Sequence, residues 1–287
     1  MIHDFAAVNG LKLHTVEAGS GKLMLFVHGF PEFWLAWRRQ LEEFGVDHHA
    51  VAFDMRGFNL SDKPAAVEAY RAKHLVEDIR QLVAHLGHTS CILVAHDWGG
   101  AVAWNVAALH PGLVEKLVIL NAPHPAVFAR ELAHSEAQRK ASAYMLMFRS
   151  PEAEAILSAD HYAALSKLFS RGADRPSAFA PDEQAAYLEA WAQPGALTGG
   201  LNYYRASPLH PPIDKPGPAI DPAAFRITVP TLVIWGMRDS ALLPGLLDGL
   251  DAYVPDLRIE RIADATHWVA HEYPAEVNAL IRDFIAA

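Results

Sequence analysis

Cysteine is nearly missing: Cys91 is the single one in 287 residues, so no internal disulfide can form and the chain suits a reducing compartment. It lies in an apolar run, Cys91-Ile92-Leu93-Val94, where packing is its natural role. Long hydrophobic runs are also missing, since none reaches the roughly 18 residues that a membrane helix needs. The first ten residues have neither the basic start nor the apolar stretch of a secretory leader. A cytoplasmic protein with no membrane partner is expected. Positive charge is scarce, with 24 Lys and Arg against 33 Asp and Glu and a net charge of −9. No broad basic face is left to neutralise phosphates, so nucleic acid is not an expected partner. There are sixteen histidines, but no H-E-x-x-H and no Cys/His ligand spacing. Neither a metal nor any other cofactor is expected.

What is present is an ordinary globular composition, 52% hydrophobic and 20% charged. Short continuous apolar runs recur at Leu23–Val27, 50–54, 91–95, 114–121 and Thr231–Gly236, as strands covered on both faces require. Helical patterns alternate with them, among them 76–86, with Val76, Ile79, Leu82, Val83 and Leu86 on one stripe, and 101–109. Strands alternating with helices predict an α/β fold with a mostly parallel, doubly covered sheet. Residues 5–8 and Leu11–Ala18 alternate more strictly and predict an antiparallel pair at one edge.

After Asn121 the pattern changes. Pro123 and Pro125 break the chain, and helical segments follow at 126–148, 152–157, 162–169 and 182–191 before a proline-rich linker at 208–222. Strand grammar resumes at Ile227. The expected organisation is therefore a core of residues 1–121 and 227–287 interrupted by a helical cap at 122–226. No internal repeat is present.

The segment Leu93-Val94-Ala95-His96-Asp97-Trp98-Gly99-Gly100 runs a strand straight into a helix with small residues two places either side of Asp97. That spacing makes a tight turn that lifts the central side chain clear of the sheet, with helix amides beside it to favour negative charge. Asp97 is the candidate nucleophile, and a plain helix-capping aspartate is the bland alternative. His28-Gly29-Phe30-Pro31-Glu32 follows another strand, so the Phe30 and Trp98 amides are candidate oxyanion donors. Asp239 follows the strand Thr231–Gly236, and His267 follows Leu257–Ile262. The order nucleophile, acid, base makes Asp239 the orienting acid and His267 the base. His96 and His271 are expected to be structural. Phe33, Trp34, Met145 and Trp268 flank these groups and are candidate substrate contacts.

At HGFPE (28–32), DMRGFNLSDKP (54–64), AHDWGG (95–100), NAPHP (121–125) and LNYYR (201–205) the chain resembles the α/β-hydrolase superfamily, and within it the soluble epoxide hydrolases. The resemblance runs over nearly the whole length. It implies that Tyr144, in Tyr-x-x-x-Phe, and Tyr204, in LNYYR, hold the epoxide oxygen, with Tyr203 the obvious rival to Tyr204. It further implies hydrolysis of an apolar epoxide to a diol through an aspartyl ester, water being the other reactant. Two positions depart from the family pattern: Thr266 stands where glycine usually precedes the base, and Asn59-Leu60 replaces smaller residues. The alternatives are a haloalkane or haloacetate dehalogenase with the same Asp-His-Asp set, and a non-catalytic receptor on this scaffold. Haloalkane enzymes commonly carry asparagine where Phe30 stands, and no arginine follows Asp97 for a haloacetate carboxylate.

Overall fold

In the computed structural model, which describes residues 1–170, 180–212 and 225–287, the apolar runs become eight strands of one sheet. They are β1 (Ile2–Val8), β2 (Leu11–Ala18), β3 (Leu23–Val27), β4 (His49–Phe53), β5 (Cys91–His96), β6 (Val114–Leu120), β7 (Thr231–Gly236) and β8 (Leu257–Ile262). The spatial order is β1-β2-β4-β3-β5-β6-β7-β8. The β1–β2 and β2–β4 pairs are antiparallel and every other pair is parallel, as the two kinds of hydrophobic pattern predict.

Alternate residues of the central strands enter separate cores. Leu25, Val27, Leu93, Ala95 and Val233 face one side, packed against α2 (Ala72–His85) and α3 (Asp97–Leu109). Phe26, Ala52, Val94, Val118 and Ile234 face the other, against α1 (Arg38–Phe44) and α11 (Pro274–Ala286), which follows the short α10 (Val269–Glu272). The period-two alternation of a strand thus feeds two apolar layers at once, which explains why the central strands read as unbroken hydrophobic runs.

Between β6 and β7 the described residues are helical: α4 (Pro125–His134), α5 (Glu136–Ala141), α6 (Tyr144–Phe148), α7 (Ala153–Ser170), α8 (Pro181–Ala192) and α9 (Ala196–Ala206). The expected stretch 126–148 divides into three helices, and α7 is interrupted by non-helical backbone at 159–162. α9 is not among the helices expected from the sequence. Gly199 and Gly200 lower its propensity by roughly 1 kcal/mol each, yet a Cβ on Gly199 would lie 2.4 Å from the Gly57 carbonyl oxygen. Close approach to the core outweighs helix preference at that position. Residues 213–222 of the expected linker lie outside the described residues. No helix among the described residues is long and apolar enough to cross a membrane.

Candidate active site

β5 ends at His96 in extended backbone and α3 begins at once with Asp97, whose φ is +49°. Left-handed backbone is disfavoured for residues with a Cβ, though Asp tolerates it better than most, and such positions store about 1–3 kcal/mol. The first turn of α3 lies so close to the end of β3 that a Cβ on Gly99 would sit 2.3 Å from the Val27 carbonyl oxygen. The strained turn stands Asp97 above the C-terminal ends of the strands, where α/β sheets gather ligands. Its Oδ1 accepts a hydrogen bond of 2.8 Å from the Phe30 amide, in the loop after β3.

On the other carboxylate oxygen, Oδ2, the nearest cationic group is His267 Nε2 at 3.6 Å. His267 Nδ1 meets Asp239 Oδ2 at 2.7 Å, so the imidazole spans two acids. Burial works against its charge, but Asp239 and Asp97 outweigh it and push the imidazole up to about 9. Asp239 is itself buried, which opposes ionisation. The His267 charge and hydrogen bond, with the Leu242 and Ala241 amides, overcome that and hold the carboxyl below its ordinary value.

Asn121, at the end of β6, was not singled out in the sequence. Its Nδ2 donates to Asp239 Oδ2 at 2.8 Å while its Oδ1 accepts from the Gly236 amide at 2.8 Å. Fully buried and at φ +37°, it fixes the acid against the end of β7. The available signal was its place at the strand end, where polar residues rarely serve packing.

Tyr144 on α6 and Tyr204 on α9 both border the cavity that Asp97 faces. Their rings meet edge to face with centroids 6.2 Å apart, and the Trp98 ring packs on Tyr204 at 5.0 Å. Burial, reinforced by the Asp97 charge, drives both phenols well above their ordinary range, so each stays protonated as a donor. Tyr203 also touches the cavity, but its hydroxyl donates to the Arg56 carbonyl at 2.9 Å. Phe30 and Phe148 pack their rings at 5.5 and 4.9 Å from the Tyr204 ring and brace it.

Beneath this layer, buried Glu32 accepts from His271 Nε2 at 2.6 Å, His96 Nδ1 at 2.9 Å and the Tyr187 hydroxyl at 3.3 Å. Burial would raise its pKa, yet the hydrogen bonds from His271 and His96 hold it well below the usual carboxylate range. His96 Nε2 reaches the carbonyl of His267 at 2.9 Å. The two histidines expected to be structural thus act through an acid that the HGFPE segment carries. Thr266, the departure from glycine, sends both its amide and its hydroxyl to the Glu272 carboxylate at 2.7 Å.

Two cavities meet at Asp97, Tyr144 and Tyr204. One, of about 510 Å³, is lined by residues including Met145, Phe128, Ala101 and Leu209. The other, of about 110 Å³, is lined by residues including Phe30, Asp239, His267 and Trp268. Met145 and Trp268 therefore border the site. Phe33 and Trp34 line neither cavity: the Phe33 ring packs on Tyr187 at 5.0 Å, and the Trp34 ring lies edge-on to His3 at 5.1 Å. The extended backbone at Phe33 and the turn that follows carry both aromatics away from the carboxylate.

Residues 22–274 match the family model described as alpha/beta hydrolase fold. The AB hydrolase superfamily protein YfhM of Bacillus subtilis is 38% identical, over 98% of this chain and 96% of its own length. Epoxide hydrolase 3 of Mus musculus is 36% identical, over 96% of this chain and 74% of its own. The crystal structure of an inhibitor-bound Bacillus megaterium epoxide hydrolase superimposes with a TM-score of 0.91 at 38% identity, covering 99% of this chain and 100% of the other. Family model, relatives and solved structures agree that the chain belongs to the α/β-hydrolase fold family and, within it, to the epoxide hydrolases.

Proposed function

We propose that the protein hydrolyses apolar epoxides to vicinal diols in two steps, with Asp97 as covalent nucleophile. The observation that carries this reading is a carboxylate facing two protonated phenols at one end of an apolar cavity. With Oδ1 engaged by the Phe30 amide, Oδ2 is the oxygen free to attack. It bonds to an epoxide carbon as the ring C–O bond breaks, and the departing oxygen takes a proton from Tyr144 or Tyr204. A carboxylate suits attack at saturated carbon because it leaves an ester that water can cleave.

In the second step His267, held by Asp239, takes a proton from water as the water oxygen adds to the ester carbonyl. That carbonyl oxygen is Oδ1, already seated on the Phe30 amide, and the Trp98 amide is the second donor to the oxyanion. The tyrosinate is reprotonated through solvent by the resting proton that His267 gives up once the ester forms. Collapse then moves the remaining water proton onto the leaving oxygen, releases the diol and restores the carboxylate, and His267 ends protonated as it began. Residues 122–226 act as a cap that brings the phenols over the core of 1–121 and 227–287.

The two protonated phenols facing Asp97 favour this reading over dehalogenation, because an opening epoxide takes up a proton and a departing halide does not need one. A single turnover in heavy-oxygen water, followed by mass analysis of the peptide carrying Asp97, is expected to show one labelled oxygen. An unlabelled peptide alongside labelled diol would replace the ester with direct attack by water.

A further inference from the structure

Asp97 and the two tyrosines stand between chambers of very unequal size, about 510 and 110 Å³. The smaller is below the roughly 150 Å³ at which an apolar cavity accepts benzene, while the larger falls within the roughly 300–1,000 Å³ usual for ligand sites. The large chamber runs along one face of α3, where Asp97, Ala101 and Asn105 line it at intervals of four residues. The eight helical steps from Asp97 to Asn105, at about 1.5 Å each, make that floor roughly 12 Å long. Its described lining includes no Lys, Arg or His, and Asp97 is its one charged group. The small chamber is bounded by Ala141, Phe148, Leu168, Ala241 and Trp268 as well as by catalytic groups.

Building on the epoxide hydrolase reading, we infer that the site selects lopsided epoxides: one ring carbon bare or methylated, the other carrying a single uncharged apolar group up to roughly 12 Å long. The small chamber takes the bare carbon and excludes an aryl ring. The large chamber takes the long group and, among its described lining residues, offers no cation to a carboxylate at its end, so such a charge would be desolvated without a partner there.

Three probes test this on the whole protein: 4-phenyl-1,2-epoxybutane, the same compound with a para-carboxylate, and trans-stilbene oxide, which has a ring on both carbons. The expected kcat/KM for the first is about 100-fold above each of the others. Values within about 3-fold of one another would overturn the inference while leaving epoxide hydrolysis standing. Leu168→Ala is expected to raise kcat/KM for trans-stilbene oxide by about tenfold, and Ala101→Leu to lower the preference for 4-phenyl-1,2-epoxybutane over propylene oxide by about tenfold. No change in either preference would count against the two-chamber assignment. Titrating Asp97→Asn with the matching diols by tryptophan fluorescence separates fit from turnover. At least about tenfold tighter binding of the one-sided diol supports the inference even where no epoxide is opened, and equal binding defeats it.

Discussion

His267 carries the charge on which the proposed cycle turns. In the resting site Asp239 and Asp97 push its imidazole up to about 9, yet to act as a base it must be neutral. Ester formation supplies the change by removing the Asp97 charge, and with it one of the interactions that favours the cation. In Asp97→Asn the His267 ring is therefore expected to titrate at lower pH than in the wild type, as followed by NMR; an unmoved midpoint would show that Asp97 exerts no such hold. The phenols give a second prediction at this scale. Tyr144→Phe and Tyr204→Phe should each lower kcat/KM by about 10- to 100-fold, because either remaining hydroxyl still donates. The double variant should fall by more than the product of the two, since it removes the last donor to the epoxide oxygen. Steady-state diol formation measures all three.

At the scale of elements, α9 joins the two halves of the site, because Tyr204 and the close contact of Gly199 with Gly57 lie on the same helix. Gly199→Ala would force the helix off the core. A loss of about 1–3 kcal/mol in stability is expected, together with a fall in kcat as Tyr204 shifts. Urea unfolding and kinetics on the same variant check it, and a stable, fully active Gly199→Ala would mean that α9 has room to move. This helix also marks the limit of what the sequence makes legible. The strands were readable because burial on both faces leaves unbroken apolar runs, and Asp97 was readable because a tight strand-to-helix turn demands small neighbours. Of the paired glycines of α9, Gly199 serves a contact with Gly57, more than 140 residues away, and Gly200 one with the Phe30 ring, and local propensity carries no trace of such contacts. Asn121 and Glu32 escaped for the same reason, since each is defined by partners brought together only by folding. Phe33 and Trp34 were misplaced because nearness in sequence to Phe30 does not fix the direction of a side chain.

At the scale of the whole molecule, titrating groups far apart set one stability profile. Burial pushes His124 down to about 4, against the opposing hydrogen bond to the Phe225 carbonyl. An unfolded chain takes up that proton from near 6.5, so stability falls as the pH drops from 6.5 toward 4. Glu32 and Asp239, both held below the ordinary carboxylate range, steepen the loss at the acid end. His267 acts in the opposite sense: its contribution is complete below 6.5 and disappears as the pH rises through about 9. Calorimetry from acid to alkaline pH should find the highest Tm near 6.5, and His267→Gln should flatten the alkaline limb; a wild-type Tm that climbs steadily to pH 9 would contradict this. Over successive cycles of the intact molecule, the seat of Oδ1 on the Phe30 amide has a further outcome. With that oxygen pinned, the two carboxylate positions cannot trade places, and the atom delivered to each diol is the one that solvent left behind a cycle earlier. Moved into heavy-oxygen water, the enzyme should release its first product entirely light and its second entirely heavy, whereas a carboxylate that spun freely would blur the second to half.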